Sequence, residues 1–279
     1  MNKRGFRFVQ EVMLCRFAIS LPTLMLSVGM VSAAPKWKQD LKPIKPGNYP
    51  PLTAGKLEYS LSWKGLLNSG KLEFDIGKPG AHKPGVIVIK STGKSTGPGG
   101  TIFPYNGHGW SEVKVDSLMP SFASIGESKR GKHIKTELHY LSDKVTLREV
   151  TKQKKKQEVK THVFGQSPVY DIGSAILFIR SQRLNKGDEI KLMIHPYASP
   201  YLLKAKVLGK ERLNNQDCIK LSLELHKISL KDMSLKPYKK LKEPALLWFS
   251  DDGKRLPLEI RSKVFIGDIR ATLEGFKEA

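Results

Sequence analysis

The sequence predicts an all-β protein: a curled antiparallel sheet, or a barrel-like closure of one, of about a dozen strands with one helix packed against it. Three observations predict it. Short runs of alternating apolar and polar residues recur along most of the chain, as where Leu57, Tyr59, Leu61 and Trp63 alternate with Glu58, Ser60 and Ser62. Clusters of Gly, Pro or lysine separate most of these runs, as turns between strands require. Only one segment repeats with a helical period. A sheet of that size has to curl or close so that its long edges are not left open.

At the N-terminus, Lys3, Arg4, Arg7 and Arg16 precede an apolar stretch, residues 17–31, followed by Ser32, Ala33 and Ala34. This is the layout of a secretory signal peptide, and the stretch is shorter than the roughly 20 residues a membrane-spanning helix needs. Cleavage is expected after Ala33, so residues 1–33 read as a signal peptide and no transmembrane span remains after it. The mature chain keeps one cysteine, Cys218, whose place in an alternating run reads as a small buried hydrophobe. Export without an internal disulfide points to the bacterial periplasm and to a core that holds the fold together unaided.

Residues 34–54 carry Pro35, Pro43, Pro46, Pro50 and Pro51 among lysines and show no periodicity, so an extended arm is expected there. Residues 55–279 read as a single β domain. Residues 57–63 form the first strand, residues 66–70 turn the chain, and Leu72, Phe74 and Ile76 repeat the alternation as the return strand of a hairpin. Further strands are expected at residues 86–90, 110–115, 134–140, 145–150 and 158–164. The helix is expected at residues 172–184, where Asp171 can accept the first free backbone N–H groups and Ile172, Ala175, Ile176 and Ile179 share a face. Strands follow at residues 190–194, 203–207, 219–225, 245–250, 256–265 and 269–276.

Composition narrows the function classes. The 279 residues contain 48 Lys+Arg against 26 Asp+Glu, a net charge of +22, with 39% hydrophobic residues. That is too apolar for a disordered tail. Two cysteines exclude a disulfide-knit scaffold and the paired-cysteine zinc modules. A mean hydropathy of -0.33 with one long apolar run excludes a protein of many membrane-spanning helices.

Motifs for chemistry are weak. Gly93-Lys94-Ser95-Thr96 resembles the tail of a phosphate-binding loop, but Val88 stands where the first glycine belongs and Gly97-Pro98-Gly99-Gly100 cannot open the required helix, so a flexible loop is expected. His133 and His139 share a strand face, with His162 on a neighbouring strand, yet no carboxylate or cysteine completes a metal set. Asp251-Asp252-Gly253 reads as a tight turn rather than an acid/base pair. No nucleophile elbow occurs. No catalytic residue, metal site or cofactor is therefore assigned, and the protein reads as a non-enzyme. The lysines are the stronger feature. Lys152, Lys154, Lys155 and Lys156 lie between two strands, Lys129, Arg130 and Lys132 in a loop, and Lys236, Lys239, Lys240 and Lys242 before a late strand. Such clusters suit contact with an anionic surface, and equally suit solvated charges that discourage edge pairing. Nucleic acid is not an expected partner of an exported chain without stacking motifs.

Three stretches carry a family resemblance: Leu57-Glu58-Tyr59-Ser60-Leu61-Ser62-Trp63-Lys64-Gly65, then Tyr170-Asp171-Ile172-Gly173-Ser174-Ala175-Ile176-Leu177-Phe178-Ile179-Arg180, then Leu247-Trp248-Phe249-Ser250-Asp251-Asp252-Gly253-Lys254-Arg255-Leu256-Pro257 with Ile266-Gly267-Asp268. Together they resemble the exported bacterial family called domain of unknown function 3108. The resemblance implies export and a mostly β envelope protein, and brings no catalytic residues. Residues 78–100, rich in Pro, Gly and Lys, depart from the tighter spacing of that family.

Two functions follow. In the first, an apolar or amphipathic envelope component, a lipid, sits in the curled sheet, with Leu57, Tyr59, Leu61 and Trp63 lining one wall; filled core is the competing reading of that row. In the second, a basic scaffold docks through lysines such as Lys152, Lys154, Lys155 and Lys156 on lipopolysaccharide, an envelope protein or another anionic outer-membrane or cell-wall assembly.

Overall fold

The computed structural model describes residues 35–41, 45–49, 53–102, 104–239, 241–264 and 267–279. The expected signal peptide lies outside them. The alternating runs form fifteen strands in one antiparallel sheet: β1 (Gly55–Trp63), β2 (Leu67–Ile76), β3 (Val86–Ser95), β4 (Tyr105–Lys114), β5 (Pro120–Lys129), β6 (Lys132–Tyr140), β7 (Val145–Gln153), β8 (Lys156–Phe164), β9 (Glu189–Ile194), β10 (Tyr201–Leu213), β11 (Gln216–Ile228), β12 (Leu235–Pro237), β13 (Ala245–Ser250), β14 (Pro257–Val264) and β15 (Gly267–Glu278). The order is β8-β7-β6-β5-β4-β3-β2-β1-β15-β14-β13-β11-β10-β9, with β12 on β11. Hairpins supply most neighbours. The first and last strands pair in the middle of the sheet, Leu57 opposite Phe276 and Leu61 opposite Ala271.

The sheet curls without closing its ladder. Register shifts at Glu58/Tyr59 and Leu61/Ser62 in β1, Glu112/Val113 in β4 and Trp248/Phe249 in β13 add local twist and bend the strands around the core. The two edges come together through side chains and one short bridge. Tyr170 pairs in parallel with Ile194 at the end of β9, the Tyr140 hydroxyl donates to the His195 carbonyl at 2.8 Å, and the Phe164 and His195 rings meet edge-on at 5.8 Å. Leu138, Tyr140, Val145, Leu147 and Phe164 from one side pack there against Met193 and Ile228 from the other. The larger core fills the concave side of β1–β3, β9–β11 and β13–β15 and receives Ala175, Leu177, Phe178 and Ile179 of the long helix.

Short helices α1 (Lys36–Gln39) and α2 (Gly97–Ile102) precede that long helix, α3 (Ile172–Ser181). The Asp171 carboxylate accepts the Ser174 backbone N–H at 2.7 Å, and the Ser174 hydroxyl accepts from Asp171 N at 3.0 Å, a reciprocal N-terminal cap. The helix ends at Ser181 rather than Leu184, because Gln182 turns to extended backbone and Arg255 takes the final carbonyls.

Several expectations are corrected. The expected curled antiparallel sheet is present, with fifteen strands for the dozen or so expected. β5 was hidden because Ser124, Gly126 and Ser128 alternate with Ala123 and Ile125, too little bulk for an apolar run. β2 starts at Leu67, inside the expected turn. Residues 93–95, expected in a flexible loop, are strand, with Gly93 paired to Leu72 and Gly107. The described part of residues 34–54 is tied down: Trp37 Nε1 donates to the Met233 carbonyl at 2.9 Å, Gly47 N donates to Ser181 Oγ at 3.0 Å, and the Tyr49 ring stacks on the Arg255 guanidinium. Asp252 Oδ1 accepts from Ser250 Oγ and from the backbone N–H groups of Lys254 and Arg255, the tight turn its sequence announced. Cys218 is fully buried, its Sγ 3.1 Å from the Gln216 carbonyl.

Candidate functional site

Inward-facing residues of β1 to β5 form rows across the sheet, and side-chain bulk collapses along two of them. One row runs Leu57, Phe74, Ser91, Gly109, Ile125; the next runs Tyr59, Leu72, Gly93, Gly107. Where serine and glycine replace large residues in adjacent strands, the concave face loses filling that no neighbour restores. The result is a cavity of about 290 Å³ between this floor and the first turns of α3. The glycines leave the neighbouring side chains room to stand where they do. A Cβ on Gly109 would stand 2.4 Å from Ser91 Oγ, and one on Gly107 would stand 2.1 Å from the Tyr105 hydroxyl that folds over it.

The walls are mostly carbon: Leu57, Tyr59, Phe74, Ile89 and Leu247 from the sheet, and Ile172, Ile176 and Leu177 from α3. Ile172, on the first turn, is solvent-exposed, so the cavity borders solvent there. Tyr59 is fixed from behind, its hydroxyl donating to the Pro257 carbonyl at 2.7 Å; burial pushes its phenol well up. Burial likewise raises Tyr105 far above the ordinary range, with Glu127 and Tyr197 adding to it.

The two carboxylates at the cavity are engaged. Asp171 is buried, with its carboxylate accepting from Ser111 Oγ and from the α3 cap. Burial pushes its carboxyl up, and the bonds from Ser111, Ser174 and Gly173 act against that rise. Glu259 is held by Arg261 and by Thr272 Oγ1, the latter at 3.0 Å. Chemically the site offers shape and apolar contact. Among the described residues no group of three or more His, Cys, Asp or Glu side chains could hold a metal ion.

Of the four residues expected to form the wall, Leu57 and Tyr59 border the cavity. Leu61 packs into the main core opposite Gly70, and Trp63 sits at the far end of β1 over Gly267. Lys152, Lys154, Lys155 and Lys156 all lie exposed at the β7–β8 hairpin, away from the cavity. Sequence reading passed over the floor itself. Its signal was legible as Gly107, Gly109 and Ser111 at alternate positions of one strand, facing Ser91 and Gly93 of the next.

Comparison with known proteins bears on family and fold. A crystal structure of a β-barrel-like protein of domain of unknown function DUF1849 from Brucella abortus aligns with a TM-score of 0.50 at 8% identity, covering 81% of this chain and 98% of that one. A protein with a YmcC-like fold from Bacteroides fragilis aligns with a TM-score of 0.35 at 9% identity, covering 84% of this chain and 100% of that one. No curated protein matches the sequence. At such identities the first likeness speaks for the fold alone, a curled, barrel-like sheet. The model of the family described as protein of unknown function, DUF3108, matches residues 58–274, which span the sheet, the capped helix and the cavity between them, and the chain belongs to that family.

Proposed function

We propose that the protein is an exported, non-enzymatic component of the bacterial envelope that holds one apolar or amphipathic, lipid-like molecule against the concave face of its sheet. The carrying observation is the cavity floored by Ser91, Gly93, Gly107 and Gly109 and walled by Leu57, Tyr59, Phe74 and Ile176. Its volume is near the lower bound of ordinary small-molecule sites, about 300 to 1,000 Å³. Predominantly apolar walls, with Asp171 and Glu259 each held by neighbouring side chains, suit a ligand bound by burial of carbon. The basic start, apolar stretch and Ser32-Ala33-Ala34 of the N-terminus support delivery to the periplasm.

The test is mass spectrometry on protein taken from an envelope fraction without detergent. Native spectra should carry an additional lipid-sized mass that denaturing spectra release. A bare protein mass, together with a melting temperature that envelope lipids do not shift, overturns the reading.

A further inference from the structure

The two ends of the β1–β8 half of the sheet differ in charge. Pairing register aligns one end: Gly70 opposite Ser95, Tyr105 opposite Lys129, Lys132 opposite Gln153, and Gln153 opposite Lys156. The β1–β2, β5–β6 and β7–β8 turns therefore project from the same end. Each places a basic residue at its tip: Lys64, Arg130, and Lys154 followed by Lys155. Turns at the opposite end mix signs, with Lys78 and Lys83 in one, Asp116 in the next, and Asp143 beside Lys144 in the third.

Two further features single out the basic end. First, Lys64, Arg130 and Lys154 all adopt positive φ, 55°, 47° and 53°. Glycine or asparagine would take that conformation at less cost, so the charge is held against local preference. Second, the β1–β2 tip carries Leu66 and Leu67, 84% and 55% exposed. Adjacent large apolar residues left in water at a hairpin tip, beside cations, have the make-up of an interfacial anchor.

We infer that this end of the sheet is a docking face for an anionic phospholipid bilayer, with Leu66 and Leu67 entering the acyl boundary and Lys64, Arg130, Lys154 and Lys155 against the headgroups. A soluble polyanion would use the cations and leave the leucines in water, so the leucines select the bilayer. This goes beyond the cavity reading, whose residues it does not involve.

The experiment is co-sedimentation of the envelope-purified protein with phosphatidylglycerol-containing vesicles, against vesicles of phosphatidylcholine alone. Binding is expected to the first only, and to fall steeply between about 50 and about 300 mM salt as screening shortens. Leu66→Ser with Leu67→Ser should weaken it about tenfold or more. Lys154→Asn should weaken it about fivefold while leaving the melting temperature equal or higher, because asparagine suits positive φ. That pairing separates lost docking from lost folding. Leu141→Ser, an exposed leucine at the opposite end, should change nothing. Absence of binding to anionic vesicles at low salt overturns the inference. So does binding that ignores the Leu66 and Leu67 substitutions, which would assign the cations to a polyanion instead.

Discussion

Arg180 and Arg255 exchange backbone hydrogen bonds: Arg180 Nε donates to the Arg255 carbonyl at 3.3 Å, and Arg255 Nη1 donates to the Arg180 carbonyl at 2.9 Å. Arg180 also reaches the Lys254 carbonyl, and Arg255 the Gln182 carbonyl. Two buried cations thus sit together, each tied to main-chain oxygen, and they fasten the C-terminal end of α3 to the β13–β14 turn. Burial first, and the neighbouring Arg255 second, bring Arg180 down to about 10, and burial lowers Arg255 as well. Placing Arg255 against the last helical carbonyls also suits the helix dipole.

Arg255→Ala should cost about 3 kcal/mol in urea unfolding, because it strands the buried carbonyl of Arg180 and the part-buried one of Gln182. Arg255→Lys should recover only part of that, since an ammonium cannot reproduce the planar fork. Equal stability of Arg255→Ala and wild type would show that the pair is incidental.

His195 makes stability fall in acid. Burial holds its imidazole down to about 4, against an ordinary 6.5. The unfolded chain therefore takes up a proton as pH drops through 6.5, while the folded chain resists until about pH 4. Across that window the unfolded state gains about 3 kcal/mol from this group. In His195→Gln the unfolding free energy between pH 7 and pH 4 should decline less than in wild type by about that amount, measured on paired urea curves. Parallel curves would refute the assignment.

Ser91→Leu tests the cavity directly. Ser91 lies opposite Phe74 and Gly109 on the floor, so a leucine there fills volume without displacing a wall. The variant should melt no lower than wild type, since it buries additional carbon. It should also lose most of any lipid-sized mass that wild type retains. Retention at wild-type stoichiometry would move the ligand elsewhere.

Trp37→Ala tests whether the proline-rich segment belongs to the fold. Trp37 packs against the cluster containing Met193 and Ile228 and donates to the Met233 carbonyl. Its loss should reduce stability by about 2 kcal/mol, read as a lowered urea midpoint. A free arm would leave the midpoint unchanged.

Much of this architecture was legible because strand and helix signals are local. The alternation of Leu57, Tyr59 and Leu61 appears as buried positions of β1, residues 245–250 match β13 without adjustment, and Asp171 caps α3 as its position before the apolar face implied. β5 escaped because Ala123 is the small residue on the face that meets the cavity and Ser124, Gly126 and Ser128 occupy the alternate positions, which erases the pattern that reveals a strand.

By itself, then, the sequence determined the class of fold, the place of the long helix and its cap, and the family. Those follow from side-chain periodicity and backbone chemistry within a few residues. Tertiary structure alone decided that Ser91 and Gly109 stand side by side, that Leu61 and Trp63 fall outside the cavity that Leu57 and Tyr59 border, and that Arg180 meets Arg255. The physical reason is register. Which residues oppose one another depends on pairing between distant strands and on the bulges that shift it, and a cavity is the absence of bulk at those crossings, which no single segment can display.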